Sequence, residues 1–311
     1  MASPLDRLKE YFTAPIFPPV VLGFSRTRVS GVLLARKEER IASHFVLSLP
    51  AGCLEPSFDQ KNILDAPVLE GVLRRGSPGL GPVPDGIALL IPETCTRLFV
   101  LTFESLPSSP AEREEIFQWR LNKLVPLKPG ELRISSNVIR SGNQAKVILA
   151  AARVSVIQEY ESLMERLGMK VRAIGVPAFN LLGLVRLEPP GHAVLVNVEE
   201  DYVSLLAVLG GEASLYRLKP FLQEADGPEG EGRRMDQVVN EIENTVNFIE
   251  DREKKKVQSL WVRAVVGRPE ADVLSALRER LPALKINGFA SPWPVPSQDL
   301  NILSPLIGQL A

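Results

Sequence analysis

The chain has 311 residues, 45% of them apolar, enough for two domains of ordinary size and a large buried core. Its 36 Lys+Arg nearly balance 37 Asp+Glu, and the net charge of −1 excludes a nucleic-acid binder driven by overall charge. Cys53 and Cys95 share no paired spacing, His44 and His192 stand alone, and no apolar run is long enough for a membrane span. The opening MASPLDRLKEYF lacks the apolar stretch of a signal peptide. These features predict buried thiols in a reducing compartment, no metal site and a cytosolic protein.

Residues 1–19 predict a leader with Leu5, Leu8 and Phe12 on one helical face, ended by Pro15, Pro18 and Pro19. Three strands follow as an antiparallel meander: Val20–Phe24, Val29–Ala35 and about Ala42–Leu49. The turn between the first two, Ser25-Arg26-Thr27-Arg28, is short and basic. Ile63, Leu64, Val68, Leu69, Val72 and Leu73 recur at helical spacing, with Pro67 expected to kink or split that helix. Ile87–Ile91 is a continuous apolar run, as a buried strand requires.

Arg97–Glu104 predicts a further strand. Ser109, Pro110 and Glu112 make an N-cap, a first-turn proline and a capping-box acid for the helix EREEIFQWRLNKL. Phe117, Leu121 and Leu124 share its apolar face, and Trp119 lies off that stripe. Strands Glu131–Ile139 and Lys146–Ala152 complete a small insert, about 98–150, within the first half. A helix capped by Ser155 with Gln158, a strand Lys170–Ile174 and a helix opened by Pro177 follow. Glu188-Pro189-Pro190-Gly191 marks the boundary between halves.

The second half repeats the opening plan, with strands at Ala193–Val198, Tyr202–Leu209 and Ala213–Lys219. Its first turn, Glu199-Glu200-Asp201, is acidic where the first half's is basic. Gln223–Arg234 carries almost no apolar residue and predicts a loop. Asp236 caps a long helix with Val238, Ile242, Val246 and Ile249 on one stripe, and Lys254–Lys256 suit its C-terminal end. Strand Leu260–Val266, helix Ala271–Leu281, strand Leu284–Ile286 and a terminal helix, about Asn301–Leu310, close the chain. The expected fold is α/β and actin-like (ribonuclease H-like): halves at 20–188 and 189–311 about a cleft, the second with a reduced upper subdomain and the C-terminal helix.

On these residues the chain resembles the PilM family of actin-like type IV pilus assembly proteins, which is related to the cytoplasmic domain of GspL. The most specific stretch is IPETCTRLFVLTFESLPSSPAEREEIFQWRLNKLVPL, Ile91–Leu127. It has the family's order: a strand ending in proline, a strand, a leucine-proline turn, an acidic helix with a central tryptophan and a closing valine-proline. Val147–Gly168 and Asn287-Gly288-Phe289 before the last helix also look like the family. The resemblance implies a cytoplasmic scaffold peripheral to the inner membrane. It would dock the N-terminal tail of a PilN-like bitopic membrane protein, alongside other pilus platform proteins and without nucleic acid. The family's peptide groove lies between the insert and the first half, and periodicity nominates Glu114, Phe117, Trp119 and Leu121 for it.

The nucleotide motifs depart from the family pattern. Gly23 and Asn197 stand where the resemblance places metal-holding aspartates, and Ser25 and Glu199 where it places glycines. The later glycine-rich turn shrinks to Gly267-Arg268-Pro269. A degenerate cleft of Gly23, Ser25, Arg26, Thr27, Arg28, Asn197, Glu199 and Gly267 predicts a pseudo-ATPase with no cofactor. The alternative is an active ATPase that binds ATP and magnesium. Arg26 and Arg28 can bind an anion or pair with Glu199–Asp201 across the cleft, and pairing is the expectation.

Overall fold

The structure is a computed structural model of the chain and describes residues 17–81, 83, 85–125, 130–141, 144–187, 191–221, 228–265 and 270–311. The expected leader helix, the boundary residues 188–190 and the Gly267-Arg268-Pro269 turn lie outside them.

The first half runs β1 (Val20–Phe24), β2 (Arg28–Ala35), β3 (Arg40–Ser48), α1 (Ala66–Gly76) and β4 (Ile87–Leu90). An insert follows: β5 (Thr96–Phe103), α2 (Pro110–Leu124), β6 (Leu132–Ser141) and β7 (Gln144–Arg153). Then come α3 (Val154–Arg166), β8 (Val171–Gly175) and α4 (Pro177–Asn180). The second half runs β9 (His192–Val198), β10 (Tyr202–Leu209), β11 (Glu212–Pro220), α5 (Pro228–Glu253), β12 (Ser259–Ala264), α6 (Glu270–Arg280), β13 (Lys285–Gly288) and α7 (Ser297–Leu310).

Two five-stranded sheets share one topology, β3-β2-β1-β4-β8 and β11-β10-β9-β12-β13. In each, an antiparallel meander joins parallel strands through its first strand. β1 at the centre of its sheet and β10, an inner strand of the other, are buried along their whole length, which explains their apolar runs. One face of the first sheet packs under α1 and α3 through Leu22, Leu69, Leu73, Tyr160 and Leu163. One face of the second packs under α5 and α6 through Val196, Leu205, Ile242, Ile249 and Leu277. The insert forms a third sheet, β5-β7-β6, covered on one side by α2.

Several expectations are corrected. Pro67 falls in the first turn of α1, behind the Asp65 cap, where a missing N–H costs nothing, so it opens the helix instead of kinking it. α3 begins at Val154 with no side-chain cap, one turn position ahead of Ser155. Residues 228–234 of the expected loop are the first turns of α5, so Asp236 lies inside that helix and does not cap it. Helix α7, expected as the end of the second half, buries Leu303, Leu306 and Ile307 against Val21, Val32 and Leu90 of the first sheet. Its interior Pro305 is itself buried.

Candidate functional site

The two first turns are built alike. Ser25 N–H donates to Arg28 O and Glu199 N–H donates to Tyr202 O, both at 2.9 Å. Gly23 pairs with Ser30 across one hairpin and Asn197 with Ser204 across the other. The structure therefore places Gly23 and Asn197, and Ser25 and Glu199, at equivalent positions on facing hairpins. A basic turn and an acidic turn of equal geometry meet across the cleft.

Arg28 carries the crossing. Its Nη2 lies 3.3 Å from Glu199 Oε2 and its Nη1 donates to Glu200, which also accepts the Thr27 hydroxyl. Arg26 pairs with Glu55 of its own half at 3.1 Å and reaches the acidic turn only through its charge, which draws the Asp201 carboxyl down; this corrects the expectation that both arginines pair across the cleft. The other side of Glu199 is held at 2.5 Å by Arg263 Nη1, a residue of β12 that is 3% exposed. Arg263 also donates to Asn197 Oδ1 and, through Nε, to Asn301 O on α7 at 2.6 Å. Burial pushes the Asp201 carboxyl up to about 6, and the nearby Glu199 charge adds to it.

Behind Asn197 lies Glu93, fully buried after β4. It accepts from Asn197 Nδ2 and the Ala178 amide, both at 2.9 Å, and from the Tyr216 hydroxyl. The buried Ser204 Oγ makes no hydrogen bond of its own. Desolvation raises the Glu93 carboxyl above the usual range, and the nearby Ser204 hydroxyl, together with the donors of Tyr216, Ala178 and Asn197, opposes that rise. Burial raises the Tyr216 phenol as well, with the Glu93 charge beside it. Sequence reading missed Arg263 and Glu93. Each had a signal: a lone arginine inside the apolar strand LWVRAVV, and an acid directly after a buried strand in LLIPE.

A second concavity separates the insert from the first half. It has a volume of about 150 Å³, with Arg133, Ser135 and Ala150 on the insert wall and Ile157, Ile174 and Val176 opposite. The insert wall is the face of its sheet that α2 leaves free. Strands β6 and β8 are both sheet edges. Helix α2 is capped as expected, with the Ser109 hydroxyl accepting from Glu112 N–H. It points Phe117 and Leu121 into the insert core beside Val147 and Leu149, so these two cannot line an open groove. Glu114 is exposed, and Trp119 is 57% exposed with Lys123 Nζ 3.7 Å above its ring. The groove is lined from β6, β7 and β8, which the helical periodicity of α2 gave no means of finding.

Solved structures share this architecture. A PilM-PilN type IV pilus biogenesis complex matches with TM-score 0.74 and 15% identity over 95% of this chain and 97% of that one. A Bacteroides thetaiotaomicron protein with an actin-like ATPase fold and unknown function matches at TM-score 0.56 and 11% identity, covering 92% of this chain and 94% of that one. The fold is actin-like. The cytoplasmic domain of EpsL, an inner-membrane component of the Vibrio cholerae type II secretion system, matches at TM-score 0.52 and 7% identity over 92% of this chain and 94% of that one. No known family model matches the sequence, and no curated protein matches it.

An actin-like fold raises the question of ATP and magnesium between the halves. The cavity there measures about 30 Å³ and is lined by Gly23, Ser25, Arg28, Glu199, Arg263 and Leu306 among others, room for one or two waters. A Cβ on Gly23 would come within 2.8 Å of Leu306 Cδ1, so a carboxylate there would require the buried Leu306 side chain to move. Asn197 is committed to Arg263 and Glu93, and Glu199 fills the space between two guanidinium groups. Among the described residues no cluster of three or more His, Cys, Asp or Glu is arranged to hold a metal. The residues present do not fit a magnesium nucleotide. No helix of the described residues is long and apolar enough to cross a membrane.

Proposed function

We propose that the chain is a non-catalytic, actin-like cytoplasmic scaffold of a type IV pilus or related secretion platform. It docks the N-terminal tail of a PilN-like bitopic membrane protein and reaches the inner membrane only through partners, among other platform proteins and without nucleic acid. The cleft takes no nucleotide cofactor in this reading.

The observation that carries it is the apolar groove between the insert sheet and the end of β8. Its walls are mostly small and branched apolar residues, with Thr96, Arg133 and Ser135 among them, and β6 and β8 border it as edge strands. An extended peptide gains affinity from the main-chain groups of such an edge and specificity from alternate side chains. The likeness to a PilM-PilN complex over 95% of the chain agrees with such a use of this fold.

The test is binding of a synthetic peptide copied from the cytosolic N-terminal tail of a PilN-like bitopic protein from the same genome. Saturable binding is expected. Ala150→Phe should weaken it at least about tenfold by filling the groove, while Trp119→Ala, on the far side of the insert, leaves it unchanged. Absence of saturable binding, or equal affinity for Ala150→Phe, overturns the groove assignment. Tight magnesium-dependent binding of ATP by calorimetry would instead favour an ATPase.

A further inference from the structure

Glu199 sits in an unusual place for a carboxylate. It belongs to a hairpin turn, yet its side chain is 6% exposed and lies between Arg28 of the first half and Arg263 of the second. Arg263 is held in place independently by Asn197 and by the Asn301 carbonyl, so its position does not depend on Glu199 alone. The adjoining cavity is lined by Gly23, Ser30 and Ser25, and the Ser25 hydroxyl is buried without a partner. Two near-buried guanidiniums, an unpaired hydroxyl and a small void form the elements of an anion site. The chain's own carboxylate completes it.

We propose that the inter-half cleft is a self-occupied anion site, in which Glu199 takes the position of a phosphate-class ligand and holds the halves together. The inference stands apart from the groove and its peptide, because it concerns only what occupies the cleft. Replacing the side chain with alanine removes the carboxylate and merges its volume with the existing void. Arg28 keeps Glu200, but Arg263 loses its carboxylate partner and faces a space that favours an added anion, since uncompensated buried charge is strongly unfavourable. Glu199→Gln removes the charge but leaves the space filled.

The test is thermal melting of wild type, Glu199→Ala and Glu199→Gln with inorganic pyrophosphate, against sodium chloride of equal ionic strength. Wild type should be unmoved by pyrophosphate beyond the chloride control. Glu199→Ala should melt lower in chloride and rise by several degrees in pyrophosphate, with an apparent affinity at least about tenfold tighter than wild type. Glu199→Gln should melt lower and stay unresponsive. Where Glu199→Ala does not fold in chloride, its refolding yield in pyrophosphate is the reading, and recovery is expected. Two results overturn the proposal: an alanine variant that neither responds to nor refolds in pyrophosphate, or wild type that binds pyrophosphate as tightly as the variant.

Discussion

The carboxyl of Asp201 lies next to the Arg28–Glu199 contact without sharing it. Burial first, and the Glu199 charge second, lift it from 3.8 to about 6. An acid raised on folding binds its proton more tightly in the native state. Its contribution to stability is complete below 3.8 and is lost as pH rises through about 6. Asp201→Asn should therefore stabilise the protein at neutral pH, on the order of 1–2 kcal/mol. It should also flatten the rise in stability that wild type shows on acidification from neutral pH towards 4. Urea unfolding at several pH values measures both. A constant gap between wild type and variant across that range would mean that Asp201 does not titrate there. Glu93 has the same sign for the same first cause, so Glu93→Gln, which keeps an acceptor for Asn197 and Ala178, should gain stability relative to wild type as pH rises.

At the scale of elements, α7 is the piece that ties the halves to their linker. Gly308 on α7 and Gly183 in the turn after α4 meet backbone to backbone: a Cβ on Gly308 would strike the Asn180 carbonyl, and one on Gly183 the Gly308 carbonyl. Neither neighbour is a flexible side-chain tip that can move aside. Gly308→Ala should thus cost about 1–3 kcal/mol by overpacking. Gly232 of α5 has open space around its Cβ position, so Gly232→Ala should gain roughly 0.5–1 kcal/mol from helix propensity. Equal melting of the two variants would show that the close approach does not constrain α7. Sequence legibility follows the same division between local and distant causes. Val238, Ile242, Val246 and Ile249 announced the buried stripe of α5, because a helical period is local. Its first turns carry no such stripe, and residues 228–234 read as loop for that reason. The seat of α7 on the first sheet depends on contacts about 280 residues distant, such as Leu306 over Gly23, and no local pattern encodes them.

For the whole molecule, duplication was legible because each half repeats local signals: a meander, a charged turn and a helix in the same order. The opposite charges of the two turns were legible too. Their exact pairing was not, since it depends on which arginine points into the cleft. Arg28 is the first residue of β2, and its side chain, 15% exposed, reaches Glu199 and Glu200. Arg26 lies at the turn's outer position, and both it and Glu55 are more than a third exposed. The two arginines therefore differ in what they hold. Arg28→Ala leaves Glu199 to Arg263 alone and Glu200 to the Thr27 hydroxyl, and should cost about 1.5–3 kcal/mol, the worth of hydrogen bonds to charged groups. Arg26→Ala breaks a surface pair within one half and should cost about 0–1 kcal/mol. Loss of the clamp should also free the halves to separate while each sheet keeps its own core. Small-angle scattering should then show a larger radius of gyration for Arg28→Ala than for Arg26→Ala at a temperature where both are folded. Equal melting and equal radius for the two variants would leave α7 and the Glu93 cluster as the bonds that hold the halves, and would remove the charged turns from that role.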